Sequence, residues 1–89
     1  MTTAAEKRHM DKVAALGCIV CGEQATLHHP RFACGMSQRA NNWLVIPLCA
    51  FHHQHGPHGQ SIHNGQREFE SNYGTEAELL AQTIQRITR

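Results

Sequence analysis

Two cysteines with two residues between them, Cys18-x-x-Cys21, are answered further along the chain by Cys49-x-x-His52-His53. Thiolate and imidazole are the ligands zinc favours in tetrahedral sites, and pairs spaced in this way chelate one ion with little backbone strain. The spacing predicts a structural Zn²⁺ held by Cys18, Cys21, Cys49 and His52. Structural zinc is worth roughly 10 kcal/mol or more in small peptides, so losing any one ligand should cost the fold. His53 is left over from this set, and the pair His28-His29 lies between its two halves. Together they predict a second, reactive metal beside the structural one. Cys34 has no partner at ligand spacing and reads as a small buried or loop residue.

Histidine is the conspicuous residue type, with six of the eight falling between His28 and His58. Their internal, irregular placement excludes a purification tag. His28 and His29 end a strand candidate, so their side chains point to opposite sides of it. One can bind a metal while the other faces a substrate. His53 follows His52 on a short helix, about 100° further round its axis. It can therefore turn away from the zinc toward the strand that carries His28. His9 reads as a surface helix residue.

The elements that must position these groups are short. Residues 4–16 read as a helix with Met10, Val13 and Leu16 on one stripe, stopped by Gly17. Residues 18–22 read as a zinc knuckle, a tight turn whose amides can point at sulfur. Residues 25–29 form a first strand candidate ended by Pro30, and residues 31–42 a polar loop. Trp43 to Ile46 is the second strand, with Pro47 at its end, where a missing donor is tolerated. Cys49 to about His55 begins a short helix, broken by residues 56–59. A helix over 66–73 is closed by Gly74. Thr75 to Glu78 is a capping box that opens a last helix with Ala77, Leu80, Ile84 and Ile87 on one face.

At 89 residues and 40% hydrophobic content this is one domain, residues 1–89, near the small end of what a core stabilises unaided. A structural metal helps a scaffold of this size. Disulfides are the competing use of four cysteines, but the N-terminus lacks the apolar stretch of a secretory signal. A reducing cytoplasm favours metal thiolates instead. The longest mostly apolar run, Trp43 to Phe51, is interrupted by Pro47 and too short to span a bilayer, so no membrane partner is expected. Net charge is only +1. A domain that relies on phosphate attraction usually carries a basic excess, which bound metals would have to supply here. Lys7, Arg8 and Lys12 form a small basic group.

The strand-strand-helix layout resembles the HNH, or ββα-metal, nucleases. Leu27-His28-His29-Pro30, Asn41-Asn42-Trp43 and Pro47-Leu48-Cys49-Ala50-Phe51-His52-His53 carry the likeness. Within that family, residues 14–65 look most like the phage Ref-type RecA-dependent nucleases, and Phe69-Glu70 and Tyr73-Gly74-Thr75-Glu76 extend the match. The resemblance implies an α+β fold: a small zinc-stabilised ββα-metal (HNH, treble-clef-like) domain with flanking N- and C-terminal helices. It implies an endonuclease, phage or prophage encoded and linked to recombination, that hydrolyses DNA phosphodiesters with a catalytic divalent metal (Mg²⁺, Mn²⁺ or Zn²⁺).

By that resemblance His28 and His53 ligate the reactive metal, His29 is the general base and Asn42 orients it through its carbonyl. In many HNH domains the asparagine stands where this chain has Leu44, so Asn41 and Asn42 both remain candidates. His58 and His63 fall where the family has His-Gly and Ile-His. They complete the reactive shell, bind a second zinc, contact phosphates or are plain loop histidines. DNA is the expected partner, with a RecA filament or another recombination protein. The basic N-terminal arm of the group has no counterpart ahead of this core, so targeting by a partner is expected. The alternative function is a non-catalytic zinc-binding module for DNA or protein.

Overall fold

The computed structural model describes residues 2–31 and 41–88, in the order α1 (Ala4–Ala15), β1 (Thr26–His28), β2 (Ile46–Leu48), a π-helical turn (Phe51–His55), α2 (Gln66–Tyr73) and α3 (Glu76–Ile87). Helices and a small two-stranded sheet make an α+β fold. Cys34 falls outside the described residues. Both 12-residue helices start on reciprocal capping boxes, Thr3 with Glu6 and Thr75 with Glu78. Each box satisfies two amide donors that the first turn leaves orphaned.

Gly17 ends the α1 segment at φ 81°. Here a Cβ would stand 2.7 Å from the Gly22 carbonyl oxygen, so only glycine lets the knuckle close on itself. The knuckle is held by Cys18 N donating to Glu23 O (2.7 Å) and Gly22 N to Cys18 O (2.8 Å). Ile19 N donates to Pro47 O at 2.9 Å and ties the knuckle to β2.

The antiparallel register pairs Thr26 with Leu48, Leu27 with Pro47 and His28 with Ile46. The second strand thus starts later than the expected Trp43 to Ile46, and Pro47 sits at its centre. Asn41 causes the shift. Its side-chain oxygen accepts Trp43 N at 2.9 Å and its carbonyl accepts Leu44 N at 3.0 Å, a turn that competes with strand pairing. Pro47 is tolerated because its carbonyl faces the knuckle rather than β1. At such a non-hydrogen-bonded position, no amide donor is needed between the strands.

After β2 the expected short helix takes the form of a π-type turn, with Gly56 N donating to Phe51 O at 2.8 Å. A Cβ on residue 56 would lie 2.7 Å from that same oxygen, so Gly56 lets the wide turn close. Residues 62–63 then run beside it. Ile62 N donates to His52 O (2.8 Å) and His63 N to His53 O (3.1 Å). This pairing sets His63 next to His53.

Ile46, Leu48, Ile62, Phe69 and Leu79 fill the core, and Cys18 and Cys49 belong to the same cluster. The buried face of α3 is Glu76, Leu79, Leu80 and Thr83 rather than Ala77, Leu80, Ile84 and Ile87. Ile84 is 41% exposed. The inward polar groups are satisfied: Glu76 by partners described below, Thr83 by donating its hydroxyl to Leu79 O at 2.9 Å.

Candidate metal centre and its neighbouring base

Knuckle, β2 and π-turn bring Cys18, Cys21, Cys49 and His52 together, with the three sulfurs and one ring nitrogen all within 4.8 Å of one another. Cys21 Sγ lies 3.6 Å from Cys49 Sγ, and Cys49 Sγ 3.2 Å from His52 Nδ1. These are close to the edges of a tetrahedron built on metal–thiolate bonds of about 2.3 Å. No disulfide links the sulfurs. Amides of Val20 and His52 point at Cys18 Sγ (3.4 Å) and Cys49 Sγ (3.5 Å).

The thiols cannot all ionise unaided. Burial opposes the Cys18 thiolate, but the amides of Cys49, Cys21 and Val20 outweigh it and hold this thiol below its ordinary value. At Cys21 the Glu23 amide favours the thiolate. Burial, the thiol contacts and the Cys18 charge prevail, pushing Cys21 up to about 11. A bound cation relieves that conflict, so the donor set fits a metal. Burial lowers the His52 pKa and keeps its imidazole in the neutral form that ligation requires.

A second group, His28, His53 and His63, also converges within 4.8 Å. Its tautomers follow from the partners. Thr26 donates its hydroxyl to Leu48 O at 2.9 Å, so it accepts from His53 Nδ1–H at 3.2 Å. The His53 Nε2 lone pair is then left facing His28 Nδ1 (3.3 Å) and His63 Nε2 (3.0 Å). His28 Nε2–H donates to Glu76 Oε2 at 2.6 Å, so in the neutral ring that ligation requires, the Nδ1 lone pair of His28 faces His53. Two lone pairs meet, and a proton on His63 can satisfy only one. A cation between them resolves the arrangement, so this donor set also fits a metal. Burial, then the charges of His28, His63 and His55, lower His53 to about 4. His63 is lowered by burial, His28 and Arg31, against the pull of Glu76. Both rings are therefore neutral near pH 7 and available as ligands.

His29 lies one residue past the end of β1 and points elsewhere. Its Nε2–H donates to Asn42 Oδ1 at 3.0 Å. The Asn42 amide nitrogen donates in turn to Glu6 Oε2 (3.3 Å) and Thr2 Oγ1 (3.5 Å), which fixes the oxygen toward His29. In the neutral ring this leaves Nδ1, which has no hydrogen-bond partner among the described residues, as the acceptor, the form in which an imidazole takes a proton. Asn41 instead shapes the turn that precedes β2.

His58 stands apart from both groups, paired at the surface with Glu68 at 3.2 Å. His55 is exposed and joins neither cluster. His9 is only partly exposed: its Nε2–H donates to Trp43 O at 3.0 Å, and its ring packs on the indole. Three contributors carry no clear signal in the sequence. Glu76 was hidden inside a capping sequence that needs only Thr75 and Glu78, yet both its oxygens also accept Arg31 N at 3.2 Å. Thr26 and Glu6 gave no signal beyond strand and helix propensity.

Over residues 2–88 the chain matches a family described as Recombination enhancement, RecA-dependent nuclease. The chain belongs to that family. As a RecA-dependent nuclease family member it is tied to recombination, to a DNA substrate and to RecA. Among the described residues, no helix is long and apolar enough to cross a membrane.

Proposed function

We propose that this family member is an HNH-type, metal-dependent endonuclease, phage or prophage encoded, with His29 as its general base. The pairing of His29 Nε2 with Asn42 Oδ1 at 3.0 Å, one residue past the end of β1 and next in sequence to His28 of the His28–His53–His63 group, carries the reading. Cys18, Cys21, Cys49 and His52 hold the structural ion, and a Cys₃His set is the chemistry of Zn²⁺. His28, His53 and His63 hold the reactive one. An all-imidazole shell suits Zn²⁺ or Mn²⁺ better than Mg²⁺, which prefers oxygen. When bound, a divalent cation supplies Lewis acidity to the scissile phosphate and to the leaving oxygen.

The protein's own groups do the rest. Asn42 holds the His29 ring so that Nδ1 faces the attacking water. His29 Nδ1 takes a proton from that water as its oxygen bonds to phosphorus. The P–O bond to the 3′-oxygen then breaks, and that oxygen is protonated by solvent. Glu76 and Thr26 fix the tautomers of His28 and His53, which keeps both lone pairs aimed at one point.

The test incubates purified protein with single-stranded and duplex DNA and Mg²⁺ or Mn²⁺, with and without RecA filaments, beside His29→Ala. Cleavage by the wild type that falls by about 10²-fold or more in the variant supports the reading. Tight binding to DNA or protein without cleavage under any of these conditions assigns the chain to the alternative, a non-catalytic zinc-binding module.

A further inference from the structure

Beside the His29–Asn42 pair the α1 helix and the end of α3 enclose a groove of about 420 Å³, walled by Arg8, His9, Lys12, Trp43 and Ile87. That volume falls in the range of roughly 300–1,000 Å³ typical of sites for small organic groups. Among the described residues, no carboxylate lines it. Lys7, on another face of α1, is neutralised by Asp11 at 3.3 Å, whereas Arg8 and Lys12 form no ion pair among the described residues.

Trp43 is the chain's single tryptophan and is 48% exposed. Its backbone is pinned on both sides: the amide donates to Asn41 Oδ1 at 2.9 Å and the carbonyl accepts His9 Nε2–H at 3.0 Å. The His9 ring packs against the indole with centroids 5.1 Å apart. An aromatic ring held rigidly and left half in water is a platform awaiting an occupant. Lys12 also complements the C-terminal dipole of α1, but that accounts for neither Arg8 nor the exposed indole.

We propose that this groove binds a single-stranded segment of DNA, one unpaired base stacking on Trp43 while flanking phosphates meet Arg8 and Lys12. Stacking platforms combined with cationic grooves are how unpaired strands are held without sequence preference. A duplex fits less well, because its bases are already stacked on one another. Trp43 follows Asn42 directly, so a strand seated here passes beside His29. The proposal rests on the nuclease reading for the identity of the strand, but its test does not depend on cleavage.

Intrinsic Trp43 fluorescence is followed in the His29→Ala protein as oligo(dT), the matching duplex or a RecA filament is added. Oligo(dT) is expected to quench the indole and to bind several-fold more tightly than duplex. Trp43→Leu, followed by anisotropy of a labelled oligo(dT), should weaken binding by about fivefold or more, and Trp43→Phe should largely restore it. Arg8→Ala with Lys12→Ala should lower the salt dependence by about 1.4 in the log–log slope, two phosphate contacts' worth for a single strand. All variants should keep the parent melting temperature, because these side chains stand outside the core. Unchanged affinity in the folded variants, or equal quenching by duplex, overturns the proposal. Quenching by the RecA filament without quenching by the bare strand also overturns it and gives the groove a protein partner.

Discussion

Glu76 turns a buried histidine into an aimed one. His28 is 4% exposed, and a ring so placed must satisfy both nitrogens or lose stability. The carboxylate takes one N–H, which commits the other nitrogen to the cluster. Partners of this kind typically change metal affinity by about 10–100-fold. Glu76→Gln keeps an acceptor but removes the charge, so metal affinity at the histidine cluster should fall by that factor while the Cys₃His site keeps its ion. Competition with a chromophoric chelator measures this, and equal affinity in variant and parent would remove Glu76 from the site. The convergence of Cys18, Cys21, Cys49 and His52, and of His53 with His28, was legible in the sequence, because spacing along short segments displays it. Glu76 was not. It meets His28 from 48 residues away, a separation that only the packing of α3 closes.

At the scale of elements, local chemistry announced itself and tertiary geometry did not. The capping box at Thr75 and the glycine stop at Gly17 were readable because each involves neighbours in sequence. The start of β2 was displaced by a turn made by a single asparagine side chain. The π-turn was hidden because its hydrogen bonding depends on how residues 60–63 dock against it. The inward face of α3 was misplaced because an apolar stripe gives no credit to a buried Glu76 or Thr83. The π-turn can be tested on its own. In Gly56→Ala the new methyl meets the Phe51 carbonyl oxygen at 2.7 Å, so the turn must shift or open. Overpacking of this kind costs about 1–3 kcal/mol. Thermal unfolding of the metal-loaded protein should show that loss together with weaker binding at the histidine cluster, since His53 rides on the turn. A variant as stable as the parent would mean the turn is more pliable than its hydrogen bonding indicates.

Over the whole molecule, the core and the Cys₃His site are one structure. Cys18 and Cys49 are counted among the packed apolar side chains, so the ligands cannot be removed without opening the core. Cys49→Ser and Cys21→Ser should leave the chain largely unfolded at ambient temperature by circular dichroism, and a strong chelator should do the same to the parent. His29→Ala should melt within a few degrees of the parent, because the ring is only half buried and its partner Asn42 retains Glu6. Collapse of His29→Ala would make that histidine structural.

The two candidate metal-binding groups meet at a single peptide bond, between His52 and His53, and residues 62–63 are hydrogen-bonded to both. Filling one group therefore orders the backbone on which the other depends. Such sites are thermodynamically linked, and the linkage is reciprocal: whatever the first ion adds to the affinity for the second, the second adds to the first. If both groups hold ions as proposed, the supply of free metal ion would then set how much of the protein is competent, making metal availability an input to the proposed activity rather than a background condition.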